Sequence, residues 1–455
     1  MSTGYKYFAF TFNDYVFTSA WLIVFTIITI GIYLRNHQNP DYKYFMPHFF
    51  WKMFLGIAFA TFYVYTYGSG DTTAYYQGAE CLKDLAMEDP SSYLHELISG
   101  PSGDYIPSYY NSRTGIPPIW IYKEPNSWFI CKLASFFAFF TFKSYLALNL
   151  IFSFISTLIT WRFFLFVRSF LTIRVGYVAI AVLFIPTVGF WCSGLLKDTV
   201  VYCASLILLM NLIKALKGLK VTHVVWIILS AYIIGATRSF VLISILIPFI
   251  VTFIFYFNRS ASFIVKFITR TIGVGIIFLV IFAYSRYSST FEELSTQNLV
   301  STAEVIYNDF QQNQGYTGKR YDLGISEFTT SSMIKTTPVA ILTAIYRPFI
   351  WEASGFFMLV NGLESLVLLY FTLKLFQKRD KLAPRMEEES RIFFIICLFS
   401  CLIMAFFVGF TSGLFGVLVR LKAPLIPFFL LFVFHRITEN NPKKNAPLNE
   451  KTALS

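Results

Sequence analysis

The chain has 455 residues, of which 56% are hydrophobic and 14% charged, and its mean hydropathy is +0.59. Soluble globular chains run nearer about a quarter charged, so this composition excludes an ordinary water-soluble domain and requires lipid as part of the solvent. A net charge of +12 would suit nucleic acid, but lysines and arginines gathered in cytoplasmic loops account for it, and no nucleic-acid partner is expected.

The first apolar run lacks the basic flank, short core and small-residue cleavage site of a signal peptide, so it is read as a retained helix. A spanning helix needs roughly 20 apolar residues. Such runs occur near 15–33, 48–67, 143–161, 176–194, 198–213, 222–237, 239–257, 271–288, 353–373, 392–412 and 418–435. The expected fold is therefore all-α: a polytopic integral membrane helical bundle of about 11 transmembrane helices, forming a single transmembrane domain over 1–455.

Basic residues set the orientation. Arg162, Arg168 and Arg174 share one connection, Lys214, Lys217 and Lys220 another, and Arg259, Lys266 and Arg270 a third. The segment 374–391 and the tail 436–455 add more, and all of these fall on one side of the alternation. The positive-inside rule makes that side cytoplasmic, with the N-terminus outside and the C-terminus inside. Long loops at about 68–126 and 289–351 then lie outside. Residues 127–142 carry Lys132 and would reverse every later basic loop if they spanned, so they are read as an interfacial or re-entrant helix. Residues 337–351, with Pro338, Arg347 and Pro348, read as a second such element. The cysteines (Cys81, Cys131, Cys192, Cys203, Cys397 and Cys401) show no CxxC pair and no histidine cluster, so neither a disulfide framework nor a zinc site is indicated.

Ionisable groups at membrane depth are costly and mark function by default. Three groups gather at outer helix ends. In Gly68-Ser69-Gly70-Asp71-Thr72-Thr73-Ala74-Tyr75-Tyr76, small residues permit a tight turn and place one carboxylate at the surface as a base or metal ligand. An Asp capping a helix over 72–86 is the alternative. In Phe190-Trp191-Cys192-Ser193-Gly194-Leu195-Leu196-Lys197-Asp198, Lys197 can hold a phosphate with Asp198 orienting it; the alternative is a turn closed by a capping ion pair. Arg420 and Lys422 enter the last span from the side that positive-inside logic disfavours, which points to an anionic partner or to snorkelling. Arg238, Arg347 and Glu352 flank other outer helix ends, and Glu364 lies within an apolar run. Tyr105, Tyr109, Tyr110, Trp120, Tyr122 and Trp128 suit either sugar stacking or an interfacial belt. No nucleotide-cradling glycine loop, HExxH or GxSxG is present, so a donor delivered through the bilayer fits better than a soluble one.

This layout resembles the C-type (GT-C) membrane glycosyltransferases, which use polyprenyl-phosphate-linked sugars. The strings FWCSGLLKD and GLFGVLVRLKAPLIP also look like multi-pass proteins of Bacteroidetes polysaccharide loci, and the second is similar to the closing helix of exopolysaccharide and O-antigen polymerases. The resemblance implies Asp71 as base or ligand of a divalent metal, if one is used, and Lys197, Arg238, Arg420 and Lys422 as lipid-phosphate contacts. Tyr75, Tyr76, Asp198, Arg347 and Glu352 would support them. Two features depart from the family pattern: Asp71 follows the second apparent span rather than the first, and no paired acid follows it directly. The implied function is transfer of a sugar from a lipid-linked donor on the outer face of a bacterial inner membrane. A polysaccharide polymerase and a lipid-glycan flippase or transporter are the alternatives.

Overall fold

The computed structural model describes residues 8–102, 105–170, 173–257, 304–305, 307–312, 318–325, 329–376 and 388–440. The expected span 271–288, the basic residues Arg259, Lys266 and Arg270, and the tail beyond 440 lie outside these. Among the described residues the structure is helical, apart from one isolated antiparallel bridge between Arg320 and Leu414.

Eight helices among the described residues are long and apolar enough to cross a membrane, as expected of a multi-pass helical membrane protein. Three differences separate this from the eleven runs in the sequence. The run 176–194 is not one helix: it divides into α8 (Val175–Leu183) and α9 (Pro186–Trp191), because Pro186 cannot donate to the helix preceding it. The runs 222–237 and 239–257 join in α11 (Val221–Phe257), broken at Arg238, whose backbone (φ −145°, ψ 82°) leaves the helical region. The third, 271–288, is outside the described residues.

The chain folds into two compact units. The first comprises residues 1–169 and 182–239. It contains α1 (Phe12–Asn36), α2 (Phe45–Phe62), α3 (Asp71–Glu88), α4 (Pro90–Ile98), α5 (Ile119–Tyr122), α6 (Pro125–Ala138), most of α7 (Tyr145–Phe170), α9, α10 (Lys197–Lys217) and the first part of α11. Helices α7 and α10 bury 72% of their apolar windows and form its centre, whereas α1 buries only 17% and offers Ile23, Ile27 and Leu34 outward, a lipid-facing pattern. The core joins Phe25, Phe49, Met53, Leu150, Ile151 and Phe154. Down α7 runs a buried polar stripe: Thr157 and Thr160 bond backward to the carbonyls of Ser153 and Ser156, and Ser153 reaches Lys52 O at 2.8 Å. Without water to compete, such groups must find partners inside the protein.

Residues 127–138 of the segment 127–142 lie in α6, a helix of 14 residues, shorter than a span requires. It packs along α3, where Gly78 lets the backbones close: a Cβ there would stand 2.6 Å from Cys131 Sγ. Lys132, the residue at odds with a span, donates to Ser99 O.

The second unit comprises residues 170–181 and 240–455. Among its described residues are α12 (Thr330–Tyr346), α13 (Phe356–Leu373), α14 (Glu388–Thr411), α15 (Phe415–Lys422) and α16 (Ile426–Asn440). The segment 337–351 is thus the end of a 17-residue helix followed by a short turn. Helix α14 meets α12 at Gly409, where a Cβ would fall 2.4 Å from Ala340 O; a small residue is what lets membrane helices approach this closely.

Candidate functional site

Two ends of the first unit differ in charge. Tyr145 at the start of α7 bonds Thr72 at 3.2 Å, and Asn149 accepts from Leu195 N at 2.8 Å, so the starts of α3, α7 and α10 share one end. The far ends of α7 and α10 carry Arg168, which pairs with Asp41 at 3.2 Å, and Lys214, whose ammonium lies 5.5 Å from the centre of the Phe166 ring. The basic connections and the candidate site therefore occupy opposite ends of these helices.

At the site end, α2 unwinds through a π turn (Tyr63–Tyr67) into Gly68, whose φ of 70° is the left-handed conformation glycine tolerates. Gly70 caps α3, and a Cβ on it would press the Tyr63 ring at 3.0 Å. Asp71 is consequently the first helical residue and not the cap, as the sequence alternative had it. Thr73 closes the turn by bonding Gly70 N and O at 3.0 and 2.9 Å. Asp71 is half-buried, at the positive end of the helix dipole.

The Lys197 ammonium pairs with Glu124 at 2.7 Å, and Glu124 also accepts from Ser127 Oγ at 2.6 Å. Asp71 lies within electrostatic reach of both Glu124 and Lys197, and Arg238 within reach of Lys197. Burial alone would raise the Glu124 carboxyl, but the Lys197 charge and the two hydrogen bonds outweigh it and hold it below the ordinary carboxylate range. Next along α10, Asp198 is buried to 1% exposure and forms an ion pair with Arg238, Oδ1 to Nη2 2.9 Å. Arg238 sits at the break of α11, and its Nε is buried with no acceptor among the described residues.

The structure thus brings together Asp71, Lys197, Asp198 and Arg238 of the residues predicted from sequence, and adds Glu124, which the sequence reading passed over. A second carboxylate, that of Glu124, thus lies within electrostatic reach of Asp71 although the two are far apart in the chain. Tyr75 supports the group from behind, its OH 3.4 Å from Ser127 Oγ, while Tyr76 packs edge-on to Phe8 and Tyr145. Tyr109, Tyr122 and Trp128 do not form a stacking platform; all three donate to the buried carboxylate of Glu96, Trp128 at 3.0 Å and Tyr122 at 3.1 Å. Tyr110 packs against Tyr122 and Trp128, whereas Tyr105 and Trp120 are exposed.

The remaining predicted residues, Arg347, Glu352, Arg420 and Lys422, lie in the second unit. Arg347 makes a bidentate pair with Glu352, whose carboxylate also takes Phe349 N at 2.9 Å. The Arg347 guanidinium lies 5.3 Å from the Tyr321 ring centre and 5.0 Å from that of Phe415. Lys422 is fully buried, donating to Arg347 O at 2.8 Å and Ser365 Oγ at 3.0 Å, with Glu364 within reach of its charge. Arg420 is half-buried on α15. The geometry makes Lys422 an internal strut tying α15 to α13 and to the Arg347 turn.

Among the described residues no three His, Cys, Asp or Glu side chains gather as a metal site, and all six cysteines are free and buried. Comparison with family models, with curated proteins and with solved structures finds no match.

Proposed function

We propose that the chain is a membrane glycosyltransferase that moves a sugar from a polyprenyl-phosphate donor to an acceptor hydroxyl at the outer face of a bacterial inner membrane. What supports this reading is the cluster of Asp71, Glu124, Lys197 and Arg238 at the end of the helices opposite the basic connections. Transfer of this kind needs a base for the acceptor and cations for the leaving phosphate. Asp71 takes the proton of the acceptor hydroxyl as its oxygen attacks the anomeric carbon. The bond to the lipid phosphate breaks, and Lys197 and Arg238 meet the charge that grows there. Each cation keeps donors beyond its present pair, and Arg238 Nε is one of them. Removing one such donor typically costs about 3 kcal/mol of transition-state stabilisation. Glu124 and Asp198 hold the two cations in place between turnovers.

The test compares the full-length chain in lipid nanodiscs with Asp71→Asn, Lys197→Ala and Arg238→Ala, measuring binding and transfer of a polyprenyl-phosphate sugar. Asp71→Asn is expected to bind the donor but lose transfer by about 10²–10³-fold, while both cation variants bind it more weakly. Donor binding indifferent to Lys197→Ala and Arg238→Ala would overturn the site. Transfer that tolerates Asp71→Asn would favour a polymerase that relies on cations alone.

A further inference from the structure

A lysine in the middle of a membrane helix needs a reason, and Lys52 on α2 has 2% exposure. Its ammonium donates to Cys192 O at 2.8 Å, and Ser156 Oγ donates to the same carbonyl at 2.7 Å. Cys192 opens the unwound stretch that separates α9 from α10. Bare backbone of this sort survives at membrane depth only where the protein itself satisfies it. Side chains hold the rest of the stretch: Ser193 bonds Gly189 O, Thr199 bonds Gly194 O at 2.6 Å, and Asn149 takes Leu195 N. Gly194 lies against the Phe59 ring, where a Cβ would stand 2.1 Å away. Lys197 and Asp198 follow immediately.

We infer that Lys52 is a positioning residue: its charge fixes the Cys192 carbonyl, and through the rigid stretch 192–196 it sets where Lys197 and Asp198 present their charges. The inference rests on the proposed anion site at Lys197. Stability alone does not explain a buried ammonium here. Replacing a buried charge by an apolar side chain of similar volume is often neutral or stabilising. The Cys192 carbonyl would still keep its Ser156 bond in such a variant. The charge is retained for placement.

The experiment titrates farnesyl phosphate into the full-length chain in nanodiscs and records thermal unfolding of the same samples, for wild type, Lys52→Met, Lys52→Arg and Lys197→Ala. The expected result is a Lys52→Met protein with unchanged or higher Tm whose affinity falls several-fold, with partial recovery in Lys52→Arg. Lys52→Met binding as tightly as wild type, while Lys197→Ala binds weakly, would overturn the inference and leave the proposed site standing. Loss of Tm and affinity together in Lys52→Met would also overturn it, since the charge would then serve the fold. Wild type binding no better than Lys197→Ala would remove the anion site itself, and the inference with it.

Discussion

Glu124 carries an electrostatic role that its neighbours define. Unfolded, its carboxyl titrates at about 4.3. Folded, burial raises it, but Lys197 and Ser127 more than compensate, so the folded value lies lower. A depressed carboxyl contributes stability that is complete above the unfolded value and is lost as pH falls through the folded one. Glu124→Gln is therefore expected to flatten the acid side of a Tm-against-pH curve without changing its shape near neutrality. Glu352, lowered by its hydrogen bonds from Arg347 and Phe349 N against the opposing effect of burial, shifts in the same direction and keeps part of the slope. An acid limb identical in Glu124→Gln and wild type would contradict the pairing with Lys197.

At the scale of elements, glycines mark where helices and loops come closest. Gly194→Ala drives a Cβ into the Phe59 ring, and Gly409→Ala drives one into the backbone carbonyl of Ala340. Neither neighbour is the free end of a flexible chain, so each substitution is expected to cost about 1–3 kcal/mol, read as a lower Tm in detergent. Gly31, inside α1, has open space at the same test position, and Gly31→Ala serves as the control that adds a methyl without a clash and is not expected to lower the Tm. Much of the helical layout was legible because apolar runs near 15–33, 143–161 and 198–213 have the length and composition of spans. The break at Pro186 was legible in principle from the proline, but the run around it reads as continuous when hydropathy alone is summed. Asp71, Lys197 and Arg238 stood out because charge is rare beside such runs. Glu124 and Lys52 did not: Glu124 lies in an ordinary polar loop, and its partner Lys197 is 73 residues away in the chain. Lys52 lies inside an apolar run whose mean hydropathy hides a single cation, and its partner is 140 residues away in the chain.

For the whole molecule, the placement of charge makes a statement about sidedness. Within the first unit the start of α10 belongs to the candidate site and its end carries Lys214 and Lys217. By the positive-inside rule we propose that this end faces the cytoplasm. All six native cysteines are buried, so the wild-type chain is expected to resist a membrane-impermeant maleimide. Arg113→Cys, at a side chain 83% exposed, is expected to label in intact cells, and Lys217→Cys only after permeabilisation. Labelling of both from the same side would mean that α10 does not cross the bilayer.

Glu96 has a bearing on how the long connection between α3 and α7 behaves in time. Long surface loops usually sit at the low-stability end of a protein and fray piecemeal. Here one enclosed carboxylate takes donors from Tyr109, Tyr122 and Trp128, residues spread along the connection. Releasing any one of them leaves an acid in a dry surrounding with fewer bonds, which raises the cost of staying half-open. Among the described residues the connection is thus expected to yield all at once or hold entire.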